Sequence, residues 1–156
     1  MTGWKRTFAS SFIAQILSIL GFSFAMPFLP FFIQDLGISD QAQQAWWAGV
    51  ILSATGITLA IFSPIWGILA DRYGRKAMVV RSMVGGAVVL VLMSYSRSVG
   101  ELFFYRLLQG VFTGTVAASI ALVASVTPLQ YSGFALGMMQ SAVFIGVSIG
   151  PLFGGI

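Results

Sequence analysis

The sequence predicts an all-α membrane protein, and three observations lead to this fold class. Hydrophobic residues make up 58% of the chain and charged residues 8%, with a mean hydropathy of +0.94, which is outside the range of soluble domains. Five apolar runs are each long enough to cross a ~30 Å hydrocarbon core as a helix. Basic residues cluster at the ends of these runs, a distribution typical of membrane topology rather than of nucleic-acid binding.

The composition also leaves little basis for enzymatic chemistry. The chain has no cysteine and no histidine, which removes disulfides, thiolate metal sites, the usual general base and the commonest metal ligand. We therefore expect a protein that is not an enzyme, with no catalytic residues, no metal site, no cofactor and no nucleic-acid partner.

The first apolar run covers residues 8–33 without a charge. It is too long for the apolar region of a signal peptide, so we predict a retained first helix. Gly21 and two prolines fall in its second half and should kink or loosen it, and broken helices at membrane depth are tolerated where they line a cavity. Packing or lipid contact is the alternative for any aromatic ring here, but a substrate cavity would be lined by Phe22, Met26, Pro27 and Pro30.

A polar loop, residues 34–45, leads to the second run at residues 46–70. Trp46 and Trp47 mark its start, because such rings favour the membrane interface. Small residues along this run would let neighbouring helices approach closely. The other three predicted spans are residues 77–96, 100–125 and 133–156.

The turn between the second and third runs carries charges that make sense only at a membrane surface. Asp71 lies at a helix C-terminus, and Arg75 and Lys76 lie at a helix N-terminus, each the wrong sign for the helix dipole. The misplacements cancel if Asp71 pairs with Arg72 or Arg75, or with the N-terminus of another helix. Gly74 can supply the positive φ that a tight turn needs. The residues that define the stretch are Gly67, Asp71, Arg72, Gly74, Arg75 and Lys76.

Arg106 is the most informative residue of the fourth run, because it lies about a turn and a half inside the predicted helix. An arginine near the centre of a membrane helix costs roughly 2.5–3.5 kcal/mol on insertion. Gly110, Gly114 and Ala118 follow at four-residue spacing, which places the charge and three small residues on one stripe facing protein or a cavity. Snorkelling of the Arg106 side chain to the interface is the alternative.

Small residues are regularly spaced in the fifth run. Ala142, Gly146, Gly150 and Gly154 recur every four residues and form a surface for close packing, at which Pro151 can bend the helix. Ordinary association of membrane helices through small residues is the alternative explanation.

The basic residues predict the orientation in the membrane. With a cytoplasmic N-terminus, six of them lie inside and only Arg97 lies in an external loop, whereas the opposite orientation violates the positive-inside rule. We therefore predict a multi-pass protein of the plasma (inner) membrane with its N-terminus in the cytoplasm. The six basic residues are Lys5, Arg6, Arg72, Arg75, Lys76 and Arg81.

Three motifs give the chain a specific resemblance to a known family. The turn from Gly67 to Lys76, G-x-x-x-D-R-x-G-R-K, resembles the loop signature of the major facilitator superfamily. The segment Arg106-Leu107-Leu108-Gln109-Gly110 resembles the R-x-x-Q-G signature of its proton-coupled members. The fifth run resembles the signature of its drug/proton antiporter branch, G-x8-G-x3-G-P-x2-G-G, through Gly137, Gly146, Gly150, Pro151, Gly154 and Gly155.

The resemblance implies a secondary transporter with two six-helix halves, of which this chain supplies five helices of the N-terminal half. We therefore expect an N-terminal fragment of a protein of about 400 residues, at ~25 residues per span plus loops. The turn would act as a gating latch between the two halves. Arg106, with Gln109 and Gly110, would bias the protonation of a nearby acid.

The function implied is proton-coupled export of amphiphilic drugs by alternating access, with the proton gradient as energy source. Its partners would be the lipid bilayer, a small amphiphilic substrate and the missing C-terminal half. One alternative is a same-fold uniporter or symporter for a sugar or organic anion, with Arg106 as counter-charge to the substrate. A second is a membrane structural or accessory protein. The coupling acid stays open between Asp35, Glu101 and a residue of the missing half.

Overall fold

A computed structural model describes residues 3–154 of the chain, with side chains described through residue 152. Five helical segments in this part are long and apolar enough to cross a membrane, which confirms the predicted all-α membrane fold. Two of the five crossings are interrupted or extended by a short second helix. The segments are Gly3–Ala25, Gln41–Tyr73, Arg75–Ser94, Val99–Val126 and Leu129–Leu152.

The first crossing consists of two helices rather than the single helix expected over residues 8–33. Helix α1, Gly3–Ala25, begins five residues earlier, and α2, Leu29–Asp35, follows a tight turn. Two prolines cause the interruption, because neither can donate a backbone hydrogen bond within the helix. Pro30 is tolerated in the first turn of α2, where a free N–H is not needed.

Helices α3, Gln41–Tyr73, and α4, Arg75–Ser94, form the second and third crossings. Helix α3 begins five residues before the predicted span because the Asp40 carboxylate caps it, accepting a hydrogen bond from the Gln43 backbone N–H at 3.0 Å. A single residue, Gly74, separates the two helices, with φ of 96°. This is the left-handed region in which glycine has no steric penalty.

The fourth crossing is broken into two helices, whereas the sequence predicted one continuous helix over residues 100–125. Helix α5, Val99–Phe112, ends before an extended Thr113, and α6, Thr115–Val126, begins after Gly114 at φ 130°. The Thr113 hydroxyl also donates to the Gln109 carbonyl at 2.5 Å, which satisfies one carbonyl at the end of α5. The predicted stripe from Arg106 to Ala118 is therefore regular only as far as Gly110.

Helix α7, Leu129–Gly154, forms the fifth crossing and packs along α1, while α3 packs on α5, and α4 on α5 and α6. Trp4 stacks on Tyr131 with ring centroids 5.4 Å apart, so the starts of α1 and α7 lie at the same end of the bundle. The turn at Gly74 lies at that end too, because Arg75 contacts the Ala121 carbonyl of α6, the helix that leads into the start of α7. We call it the basic end, since it carries Lys5, Arg6, Arg72, Arg75 and Lys76.

Large apolar side chains cover much of the outer surface. On α4, Val80, Val84, Val88 and Val91 are all more than half exposed and recur at helical spacing, so they form one continuous apolar face. Such a face is unfavourable in water and is the normal outer surface of a membrane helix. The protein is therefore a multi-pass membrane protein whose outer surface contacts the lipid bilayer.

Candidate functional site

Two hydrogen bonds from one arginine side chain stabilise the turn at the basic end. The Arg75 guanidinium donates from Nη2 to the Asp71 carboxylate at 3.3 Å and from Nη1 to the backbone carbonyl of Ala121 at 2.8 Å. The first contact is one of the pairings that the charge pattern allowed. The second ties the turn to α6, near the C-terminal end where the helix dipole favours a cation.

The other residues of the turn are open to the surroundings. Arg72 and Lys76 are exposed, and the Arg72 guanidinium lies 5.8 Å from the centre of the Tyr73 ring. A Cβ added at Gly67 would meet no atom within 4 Å. No close packing within the described part of the chain therefore accounts for the glycine at position 67.

Arg106 is buried inside the membrane-crossing part of α5, with 2% of its surface exposed. Its Nη1 donates to the Gln109 side-chain oxygen at 3.3 Å, and its guanidinium carbon lies 5.7 Å from the Phe22 ring centre. Its Nε has no hydrogen-bond partner among the described residues. The structure therefore joins Arg106 and Gln109, two residues of the R-x-x-Q-G segment, with a ring from the first crossing.

Gly110 sets the distance between α3 and α5 directly beside this arginine. A Cβ at Gly110 would overlap the Thr58 hydroxyl and the Thr55 carbonyl. The Thr55 hydroxyl donates in turn to the Arg106 backbone carbonyl at 3.2 Å. Glycine is required here because backbone and side-chain oxygens of α3 occupy the space that any side chain would need.

The predicted glycine stripe of α7 packs against α1. An added Cβ would lie 2.5 Å from Ile19 Cγ2 at Gly146 and 2.5 Å from Ser23 Cβ at Gly150, and Ala142 is fully buried. These distances are shorter than any ordinary carbon–carbon contact. The two helices can lie this close only because both positions are glycine.

The same interface compensates for the proline in α7. Pro151 has no backbone N–H, so it cannot donate to the Val147 carbonyl four residues earlier. The Ser23 hydroxyl of α1 donates to that carbonyl at 3.2 Å instead. About two helical turns away, toward the start of both helices, the Gln15 amide donates to the Met139 carbonyl at 3.0 Å. Side chains of α1 thus bind backbone carbonyls of α7 at two levels.

Not every glycine of the antiporter-like signature lies in this interface. Gly137 is exposed, and a Cβ there would meet no atom within 4 Å. Gly154 is the last residue of α7, and Gly155 lies outside the described residues.

The predicted substrate-cavity residues of the first crossing surround the turn between α1 and α2. Phe22 is half-buried and approaches Arg106. Both Met26 and Pro27 are half-buried in the turn, whereas Pro30 is exposed. A shallow apolar groove of about 240 Å³ lies on another side of α1, lined by Leu20, Gly21, Phe24 and Gly150. Of the four predicted cavity residues, Phe22 is the one that the structure places near the buried Arg106 side chain.

The acids of the chain have surface positions. Glu101 accepts from the Arg97 backbone N–H at 2.8 Å while its own N–H donates to the Ser98 hydroxyl at 3.2 Å, so Ser98 caps the start of α5 and Glu101 binds the N–H of the residue before the cap. Asp40 caps α3, Asp71 pairs with Arg75, and Asp35 is exposed at the end of α2. Four acids are all that the sequence has, and none of them is hydrogen-bonded to Arg106.

Three contacts of this region were not predicted from the sequence. The Trp66 indole donates to the Val111 carbonyl at 2.7 Å, next to the break in the fourth crossing. Ser23 compensates for Pro151, and the Ala121 carbonyl binds Arg75. A serine in one apolar run and a proline in another could have suggested the second contact. The Ala121 contact involves a backbone group, which every residue has.

Comparison with known proteins identifies the family. The sequence profile described as Major Facilitator Superfamily matches residues 11–156. Multidrug resistance protein MdtG of Proteus mirabilis is 41% identical over 153 residues, 98% of this chain and 38% of its own length. Multi-drug resistance efflux pump PmrA of Streptococcus pneumoniae is 40% identical over 152 residues, 97% of this chain and 38% of its own length. The chain therefore spans about two fifths of these relatives.

A solved structure has the same fold. The crystal structure of the human organic anion transporter MFSD10 superposes with a TM-score of 0.85 at 22% identity, over 99% of this chain and 42% of that one. The five crossings are thus those of the N-terminal six-helix half of a major facilitator fold. Taken with the profile match and the two relatives, the chain belongs to the Major Facilitator Superfamily, a family of transporters rather than enzymes.

Proposed function

We propose that the protein containing this chain exports amphiphilic compounds in exchange for protons. The observation that carries the proposal is Arg106, an arginine with 2% of its surface exposed within a membrane crossing. A charge at such depth is costly to insert, so it is kept where it acts on a substrate or a proton pathway. The names of the relatives, a multidrug resistance protein and an efflux pump, support export of drug-like compounds.

Arg106 would act on the protonation state of a carboxyl group. A nearby positive charge lowers a carboxyl pKa, so an acid that approaches Arg106 would release its proton, and one that moves away would take a proton up. The four acids of this chain have surface roles or surface positions. We therefore propose that the coupling acid is supplied by a part of the protein outside this sequence.

The turn at the basic end would work as a latch during alternating access. Arg75 connects Asp71, at the end of α3, to the Ala121 carbonyl of α6, so this one side chain joins three crossings. Gly67 and Lys76 remain open on the same surface and are available to the second half of the transporter. Breaking and remaking this contact would accompany the switch between inward-open and outward-open states.

We propose that the basic end faces the cytoplasm of a bacterial cell, in its plasma membrane. Five basic side chains lie at that end, and Arg97 lies at the other. Basic residues near crossing ends favour the cytoplasmic side. The N-terminus, which starts α1 at the basic end, would be cytoplasmic too.

A second candidate is transport of a small organic anion by the same fold. Among the described residues, the buried Arg106 has no hydrogen-bond partner at Nε and one neutral partner, Gln109, at Nη1. Such a guanidinium could pair with a carboxylate on the substrate. The two candidates differ in energy source and in the charge of the compound that is moved.

Resistance of a drug-hypersensitive host that expresses the full-length gene tests the proposal. We expect the wild type to raise the inhibitory concentration of amphiphilic drugs, and an uncoupler to abolish drug efflux. Arg106→Ala should remove the resistance, whereas Arg97→Ala, which removes an exposed arginine, should retain it. Equal resistance with Arg106→Ala at equal expression would refute the role of the buried charge. Uptake of an organic anion without drug efflux would favour the second candidate.

Asp71→Asn tests the latch. The substitution removes the charge that pairs with Arg75 but keeps the size of the side chain. We expect slower drug efflux with unchanged drug affinity, because Arg106 lies in α5, whereas Arg75 of the turn contacts α6 at Ala121, fifteen residues further along the fourth crossing. Loss of drug binding would contradict a gating role for Asp71.

A further inference from the structure

A second arginine lies within the membrane-crossing part of the chain, away from Arg106. Arg81 of α4 stacks on the face of Trp66 of α3, with its guanidinium carbon 3.4 Å from the ring centre. The indole N–H of Trp66 is already used, since it donates to the Val111 carbonyl at 2.7 Å. The ring is therefore fixed between α3 and α5, and it holds one face of the guanidinium.

The charge of Arg81 has no counter-charge among the residues that the structure describes. Its Nε and Nη1 are buried and have no hydrogen-bond partner among the described residues. Of the four acids in the sequence, Asp71 pairs with Arg75, and the other three lie at the opposite end of the bundle. Stacking on an aromatic ring favours the cation but supplies neither a counter-charge nor acceptors for the N–H groups.

The position of Arg81 suits an anion at the membrane surface. It lies six residues after the first residue of α4, about 9 Å along the helix axis, and helical side chains point back toward the N-terminus, here the basic end. Its neighbours Val80 and Val84 are more than half exposed, so Arg81 borders the lipid-facing surface. Tryptophan is itself enriched at this depth, the boundary of headgroups and acyl chains.

We propose that Arg81, stacked on Trp66, binds the phosphate group of an anionic membrane lipid at the basic end. A guanidinium binds phosphate oxygens through its N–H donors, and in Arg81 the donor that is not among the buried ones is Nη2. The apolar surface formed by Val80, Val84 and Val88 would accommodate the acyl chains of the same lipid. This site is separate from Arg106 and does not depend on the direction of transport or on the substrate.

Native mass spectrometry of the full-length protein can measure the site, with phosphatidylglycerol as the anionic probe and phosphatidylcholine as its zwitterionic reference. Arg81→Gln should lower the affinity for phosphatidylglycerol about tenfold, because it removes a charge-assisted hydrogen bond. The matched control is Lys5→Gln, which removes one positive charge from an exposed lysine beside an indole at the same end. It should lower the affinity about twofold at most.

Arg81→Lys keeps the charge but loses the planar guanidinium that stacks on the Trp66 ring, and it serves as the second variant if Arg81→Gln does not fold. We expect an affinity between those of the wild type and Arg81→Gln. Inorganic phosphate that displaces phosphatidylglycerol in an Arg81-dependent manner would support the site and assign it to free phosphate as well. Equal losses in Arg81→Gln and Lys5→Gln would overturn the proposal. Equal affinity of the wild type for the two lipids would overturn it too.

Discussion

Gly146→Ala is expected to destabilise the transporter by about 2 kcal/mol, through the contact between α1 and α7. The new methyl carbon would lie 2.5 Å from Ile19 Cγ2, 2.7 Å from Ile19 Cβ and 3.3 Å from the Leu20 backbone nitrogen. Optimal carbon contacts are ~3.5–4.0 Å. Because Ile19 Cβ and the Leu20 backbone nitrogen are fixed to the backbone of α1, they can move away from the new methyl group only if α1 itself moves. Such overpacking costs about 1–3 kcal/mol.

Two further terms enter the estimate. Separation of the helices would stretch the hydrogen bonds from Gln15 and Ser23 to carbonyls of α7, each worth about 0.6 kcal/mol in a membrane protein. Alanine in place of glycine regains roughly 0.5–1 kcal/mol of helix propensity. The sum of the three terms is a net destabilisation of about 2 kcal/mol.

Equilibrium unfolding of the full-length protein in mixed lipid–detergent micelles measures this free energy. Gly137→Ala is the matched control, because it makes the same change on the same helix at a position where the added Cβ would meet no neighbouring side chain or helix within 4 Å among the described residues. We expect it to be neutral or slightly stabilising. If Gly146→Ala unfolds at the same denaturant concentration as Gly137→Ala, the close contact of α1 with α7 is not as described, and the reasoning fails.

Three further predictions concern backbone groups at the helix interruptions. Gly114→Ala should destabilise the protein by roughly 1–2 kcal/mol, because residue 114 has φ of 130°; thermal unfolding would measure the loss, and an unchanged melting temperature would contradict it. Trp66→Phe should cost about 1 kcal/mol, because it leaves the Val111 carbonyl without its donor; retained stability would show that this carbonyl finds another partner. Ser23→Ala should cost about 0.6 kcal/mol in the wild type but nothing in a Pro151→Ala background, where residue 151 can donate to the same carbonyl. A double-mutant cycle with equal losses in both backgrounds would exclude this compensation.

The motif resemblance in the sequence identified the family, but it did not predict the role of each matched position. Gly137 and Gly146 are equivalent in the glycine signature, yet one is exposed and the other packs against Ile19. Likewise Gly67 matches the loop signature without a close contact in the described residues. A motif records which residue types recur, whereas a close approach depends on where the neighbouring helix lies.

The sequence by itself determined the membrane fold, the number of crossings and the tight turn at Gly74. It could do so because a bilayer leaves the backbone no hydrogen-bonding solvent, so long apolar runs must be helical, and because charges and glycines act locally at helix ends. Only the tertiary structure decided the break at Thr113–Gly114, the burial of Arg106 and the stacking of Arg81 on Trp66. These features depend on packing between distant segments and on backbone carbonyls, which every residue has and which therefore leave no pattern in the sequence.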